Sequence, residues 1–297
     1  MGDDLSEVTG RGLRWGSRTF GPHAMAIMAI VNRTPDSFYD RGATFDAQPA
    51  MQRVHEVVAA GAEIVDIGGV KAGPGATVST ADEIDRVVNF VGAVRAEFPD
   101  LVISVDTWRA EVGREVCAAG ADVLNDAWGG FDPDLAGVAA QFDVGLVCTH
   151  SGGLRPRTRP HRVHYDDVEQ DIMTTVSRLA NEAVSVGVAS NRVVIDPGHD
   201  FGKNTWHSLA ATRLVPRLVE TGWPVLMSLS NKDFIGESVG AGLEDRLTGT
   251  LAATALTAAW GARIFRAHNV PETRQTLDMV SVILGYRPPE RAVRGLA

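Results

Sequence analysis

Eight short runs of β-branched and aliphatic residues recur along this chain, and they constrain its fold more than any other feature. They are MAIMAIV (25–31), EIVDI (63–67), LVISVD (101–106), DVLND (122–126), VGLVCT (144–149), RVVID (192–196), WPVLMSL (223–229) and ARIF (262–265). Between them lie segments of helical period. Ile84, Val87, Val88, Val91 and Val94 share one helix face, opened by Thr80 with Glu83 three residues later as a capping box. Ile172, Val176, Leu179 and Ala183 repeat the pattern, as do Leu277, Val280, Ile283 and Leu284. Near-continuous apolar strands, each followed by an amphipathic helix, imply a parallel sheet covered by helices. Eight such units predict an α/β fold, a single (β/α)8 TIM barrel.

No internal repeat and no linker rich in Pro, Gly or Ser divides the chain, so the barrel is expected to span residues 23–297. The first 22 residues read as a polar N-terminal arm without the apolar segment of a secretory signal, and no run reaches the roughly 18 apolar residues of a membrane span. With 297 residues, 44% of them hydrophobic, the chain can bury a full core. Its net charge of −9 argues against nucleic acid and acidic membranes as partners, because both are polyanions, and suits a soluble cytoplasmic protein. Cys117 and Cys148 fall in apolar segments without CxxC spacing and read as reduced core residues.

Polar residues stand at or just beyond the C-terminal end of every predicted strand: Asn32, Asp66, Asp106, Asn125 with Asp126, His150, Asp196, Lys232, and the pair Arg266 and His268. In a barrel these positions share one rim, where enzymes of this fold place their sites. Any one of them alone reads more simply as a helix cap. Together they suit a flat, polar heterocycle bound by hydrogen bonds, with Arg266, His268 and a divalent ion on the Asn32 amide oxygen gripping phosphate. The chemistry implied is departure of a phosphorylated group from something bound deeper in the barrel. A basic loop, GGLRPRTRPHR (152–162), reads as a solvated loop or an anion-gathering lid.

The stretches NRTPDSF, DIGG followed by PGA, SVDTW, ND, DPGHDFGK, SNKDFIG and RAHNV, in this order from about Met25 to Gly285, resemble the motif set of dihydropteroate synthase. Within that family the chain resembles the divergent second homologue of some actinobacteria. The resemblance implies a pterin with a CH2-pyrophosphate arm in the barrel, magnesium assisting pyrophosphate departure, and attack by the amine of p-aminobenzoate. It implies that Asp106, Asn125, Asp196 and Lys232 line the pterin pocket. Asn32 would bind magnesium and pyrophosphate, and Arg266 and His268 would hold the pyrophosphate oxygens. Pro74 and Phe201 would flank the aminobenzoate ring. A homodimer built through outer helices is implied as well.

Several positions depart from the family pattern. Arg33 and Arg41 replace a small apolar residue and a glycine in the first loop, and Val70, Lys71, Ala72 and Gly73 stand where the second loop has Glu, Ser, Thr and Arg. Ser228 takes the place of a glycine on the seventh strand, and Asn231 and Asp233 alter the turn into the next helix. There the family's serine helps hold the carboxylate of p-aminobenzoate, and Asp233 is expected to occupy those donors itself. The reading favoured is a paralogue with weak or no synthase activity, still open to neutral aromatic amines or sulfones. Alternatives are an active synthase, catalysis on another acceptor with Arg33 and Lys71 facing it, and a non-catalytic binding protein. Corrinoid methyltransferases share the barrel but lack the TPDSF loop.

Overall fold

The computed structural model describes residues 12–34, 44, 46–158 and 163–294. Arg41, the TPDSF segment after Thr34, and Arg159 to Arg162 of the basic loop therefore lie outside the described residues. A hairpin of β1 (Leu13–Trp15) and β2 (Arg18–Phe20) comes first. The barrel follows in regular alternation: β3 (Ala26–Asn32), α1 (Ala47–Ala59), β4 (Ile64–Gly68), α2 (Thr80–Glu97), β5 (Val102–Asp106), α3 (Ala110–Ala118), β6 (Val123–Asp126) and α4 (Leu135–Gln141). The second half runs β7 (Gly145–Thr149), α5 (Val168–Ser185), β8 (Val193–Asp196), α6 (Thr205–Arg213), α7 (Val215–Glu220), β9 (Leu226–Met227), α8 (Asp233–Val239), α9 (Leu247–Ala259), β10 (Ile264–Ala267) and α10 (Val270–Ile283).

The eight parallel strands β3 to β10 pair in the order β8-β7-β6-β5-β4-β3-β10-β9, and a parallel bridge between Ile195 and Val225 joins the two ends. All eight predicted strands are present, as a (β/α)8 barrel requires. Successive side chains on a strand alternate between faces. Ile27, Ala29 and Val31 of β3 pack outward under the helices, while Ala26 and Met28 join Ile64, Val102, Val123, Val194, Leu226 and Ile264 in an apolar floor.

The hairpin belongs to that floor. Leu13, Trp15 and Phe20 pack into the same cluster, and Trp15 is completely buried with its indole N–H donating to the Arg192 carbonyl at 2.9 Å. A side chain at Gly145 would collide with the Trp15 ring, so only glycine fits there. A segment of polar composition thus closes the bottom of the barrel with three apolar anchors.

Two local expectations shift. The capping box of α2 lies one residue earlier, with Ser79 as cap and Asp82 at the third position, and Glu83 is buried against Arg109 instead. On α10, Leu277 and Val280 are buried, but Ile283 is 70% exposed, because it shares the outward face with Met279 one turn earlier. Both cysteines are buried free thiols, and burial pushes Cys117 up to about 12.

Candidate active site at the barrel mouth

One step of two residues up six of the eight strands from the floor changes their chemistry. Above Ile64, Val102, Val123, Val194, Leu226 and Ile264 stand Asp66, Ser104, Asn125, Asp196, Ser228 and Arg266. Asp66 is fully buried and accepts from Arg266 Nε at 2.6 Å, Ser104 Oγ at 2.6 Å and Asn125 Nδ2 at 3.2 Å. Arg266 Nη2 donates to Asp106 at 3.2 Å. Asp66, Ser104, Asn125, Arg266 and Asp106 form a connected set of charge-assisted hydrogen bonds, which keeps the part-buried guanidinium ionised. Asp106 is pushed up to about 7, chiefly by burial, against the pull of Arg266 and with the neighbouring carboxylates Asp66, Glu83 and Asp126 adding to the rise.

Above this layer lies a cavity of about 330 Å³. Asn32, Asp106, Asn125, Asp196, Phe201, Lys232, Arg266 and His268 all line it, so the structure gathers the predicted residues into one site. Asp196 accepts from Ser228 Oγ at 2.9 Å and from the Gly198 N–H at 2.7 Å, and burial raises its pKa. Ser228 is therefore turned onto a carboxylate. Lys232 donates to the His199 carbonyl and lies 5.1 Å from the Phe201 ring centre; burial lowers its pKa. His268 contacts Ser230 Oγ through Nδ1 at 3.0 Å and is pushed down to about 3 by burial and then by the charges of Arg266, Arg53 and Lys232. It is a neutral imidazole at pH 7, a hydrogen-bonding group without charge.

Other predicted residues fall elsewhere. Asp126 accepts from the N–H groups of Trp128 and Gly130 and shapes the turn after β6. His150 is buried beneath the mouth, 2.6 Å from both Asp171 and Lys203 Nζ. Arg33 does not face the cavity. It follows the cavity-lining Asn32, so strand alternation sends it outward onto α2, where it lies 4.9 Å from the Phe90 ring centre and donates to the Arg86 carbonyl. Pro74 is exposed and outside the lining, whereas Val70, Lys71, Ala72 and Gly73 are in it. Val70 joins Trp108, Ala127 and Trp128 in an apolar cluster against which Phe201 packs.

The turn into α8 departs from expectation most. Asp233 lines the cavity but does not cap its own helix: its carboxylate pairs with Arg246 at 2.8 Å. The N–H of Asp233 is taken instead by Asp200, at 2.9 Å. Asn231 has φ 55, donates its N–H to Thr250 Oγ1 at 3.1 Å and its side-chain amide to Asn269 at 3.1 Å, and so fixes the turn. Asp200 and Arg53, whose guanidinium reaches the His268 carbonyl, were not singled out in the sequence. A carboxylate flanked by Gly198 and Gly202, in the loop facing SNKD, was the available signal for Asp200.

The sequence profile of pterin-binding enzymes matches residues 28–268. The inactive dihydropteroate synthase 2 of Mycobacterium leprae is 58% identical over 275 residues, covering 91% of this chain and 94% of that protein. The chain belongs to the dihydropteroate synthase family. Among solved dihydropteroate synthases, the Yersinia pestis protein in complex with a sulfonamide drug is similar at TM-score 0.87 and 31% identity, covering 93% of this chain and all of that one. The Xanthomonas albilineans protein in complex with 7,8-dihydropteroate gives TM-score 0.80 and 32% identity, covering 92% of this chain and 98% of that one.

Dihydropteroate synthases implicate magnesium, and the donor set bears on how this chain would hold it. Among the described residues no three His, Cys, Asp or Glu side chains converge into a cage. Asn32 lines the cavity as one neutral oxygen donor. That set fits a Mg²⁺ ion that keeps several waters and arrives with a diphosphate, since magnesium is usually held by one or two protein ligands plus substrate phosphates.

Proposed function

We propose that this chain is a dihydropteroate synthase paralogue that keeps the pterin pocket and the pyrophosphate grip but has weak or no synthase activity. In this reading Asp106, Asn125, Asp196 and Lys232 hold the pterin. Asn32, Arg266 and His268 meet the pyrophosphate, His268 by a hydrogen bond from a neutral ring. Asn32 is the residue that would hold Mg²⁺, which supplies positive charge to the leaving diphosphate. Arg266, ionised in its layer of carboxylates, and Lys232 add fixed positive charge where the leaving group gains negative charge.

The observation that carries the reading is an asymmetry. The deep polar residues partner one another, while the first N–H of α8, at the turn where the family resemblance would put an acceptor carboxylate, is taken by the chain's own Asp200. The 58% identity to a protein described as inactive supports the same conclusion. Two further points belong to the proposal: Leu256 on α9 and Met279 and Ile283 on α10 form an exposed apolar face for a second copy of this chain, and the acidic protein works in the cytoplasm. No helix of the described residues is long and apolar enough to cross a membrane.

The test is incubation of the purified protein with hydroxymethyl-dihydropterin pyrophosphate, Mg²⁺ and p-aminobenzoate, following pyrophosphate and pteroate separately. Expected are tight pterin binding and little pteroate. Robust pteroate turnover would make the chain an active folate-pathway synthase and overturn the proposal.

A further inference from the structure

Asp200 is held in place more firmly than a solvated loop carboxylate. Its backbone has φ 65, a left-handed conformation that Asp tolerates better than most residues, between Gly198 at φ 68 and Gly202 at φ 60. Ser208 brackets it, accepting from the Asp200 N–H at 3.2 Å and donating to Asp200 Oδ1 at 3.2 Å. The other carboxylate oxygen takes the first N–H of α8. Asp200 therefore stands at the cavity wall at a fixed angle, beside Lys232, Asp233 and Phe201.

Two of the surrounding cations already have carboxylate partners. Asp196 and Asp200 are the carboxylates that act most strongly on Lys232, and Arg246 is paired with Asp233. Lys71, on the loop after β4, lies along its own segment, with Cε 3.6 Å from where a side chain on Gly73 would begin. The remaining wall is apolar and aromatic: Val70, Ala127, Trp128 and Phe201, the two rings edge to face with centres 5.2 Å apart. Such a wall takes a flat ring, and the polar groups near it decide which substituent that ring may carry.

We propose that Asp200 sets the class of second ligand this cavity accepts: a flat aromatic amine that is neutral or cationic, with carboxylates excluded. The inference rests on the reading of the deeper pocket as a pterin site, of which this is the outer half. An incoming carboxylate meets a fixed like charge across a partly desolvated gap, and must also displace Asp200 from Ser208 and from α8. At a few ångströms and an effective dielectric of about 20, that repulsion amounts to roughly a tenfold preference or more after screening. Asp200, a specificity-determining residue here, acts through its charge and fixed position, and takes no part in bond making.

The experiment titrates 4-aminobenzoate and its uncharged isostere 4-aminobenzamide into the full-length protein by calorimetry, each with and without 6-hydroxymethylpterin. The wild type is expected to bind the amide about tenfold more tightly or better. Asp200→Asn keeps the size of the side chain and removes its charge, and is expected to erase most of that ratio. Asp200→Gly suits the left-handed backbone and gives a second variant in which the ratio should fall. Equal affinity for the two amines in the wild type, or an unchanged ratio in both variants, would overturn the proposal. So would failure of both amines to bind any of the three proteins while the pterin binds. If the pterin does not bind but the amide preference depends on Asp200, the pterin reading fails and the Asp200 assignment stands.

Discussion

The two halves of the cavity are built from different kinds of chain. In the deep half, Asp66, Ser104, Asn125, Asp196 and Arg266 stand on strands, one alternation above an apolar floor; Ser104, Asn125 and Arg266 converge on Asp66, and Asp196 is held by Ser228. In the outer half the polar residues come from loops and turns, Lys71, Asp200, Asn231 and Asp233, and several are spent on closing the protein's own structure. Strands fix what the barrel can hold at depth, and loops change what may join it. A paralogue can lose its second substrate by loop substitution without disturbing the fold that held the first.

The largest effect should come from breaking the deep layer. Arg266→Ala leaves Asp66 buried without its cationic partner and Asp106 without its own, and is expected to cost about 3–5 kcal/mol in urea unfolding. A loss below about 1 kcal/mol would mean that the layer is hydrated and soft, and that the contrast between the two halves is wrong. Next in size, Asp196→Asn should weaken 6-hydroxymethylpterin binding about ten- to hundredfold in calorimetry, the scale of one charged hydrogen bond in a buried site. Asp233→Ser should leave that affinity within about twofold, because its carboxylate points to Arg246. Equal effects of the two changes would merge the halves into one site.

A third test uses protons. His268 is held neutral in the fold, pushed down to about 3 from an ordinary 6.5, so the unfolded chain is the better proton binder once pH falls below 6.5. Its contribution is thus lost as pH falls from 6.5 towards 3 and is level above 6.5. In His268→Gln that loss is absent, and the stability gap between wild type and variant should close by about 1.4 kcal/mol per pH unit between roughly pH 6 and 4. Asp106, raised to about 7, contributes a slope of the opposite sign, but it does so in both proteins and cancels in the difference. A gap independent of pH would show that the ring is solvated and charges freely.

The strands were legible because parallel strands buried on both faces must be continuously apolar, and their C-terminal polar residues followed from the fold rule alone. Thr80 with Glu83 and Ser79 with Asp82 are equally good capping pairs in sequence, so only packing of Glu83 on Arg109 chooses between them. The alternative in which Arg33 faces an acceptor fails because strand alternation places it on the face opposite Asn32, against Phe90. Trp15 was hidden by the polar residues around it. Asp200 and Asp233 posed the hardest case: both are good helix caps, and which one reaches α8 depends on the left-handed turn at Asp200, a tertiary choice.

The smallest expected effect concerns how the outer half is held shut. Arg157, at φ 65 in the basic loop, donates to the carbonyls of Gly73 at 3.2 Å and Ala76, tying that loop to the altered second loop across the mouth. Both partners are surface backbone groups, so Arg157→Ala should change global stability by only about 0.5 kcal/mol. Its consequence should be local. Amide hydrogen exchange in residues 71–78 is expected to speed up several-fold, because loop segments open with far less free energy than the barrel. Exchange in β4 and β5, which carry the deep layer, should not change. Acceleration in both regions would show that the loops and the strand layer open together, and the division between a rigid inner half and an adaptable outer half would then have to be given up.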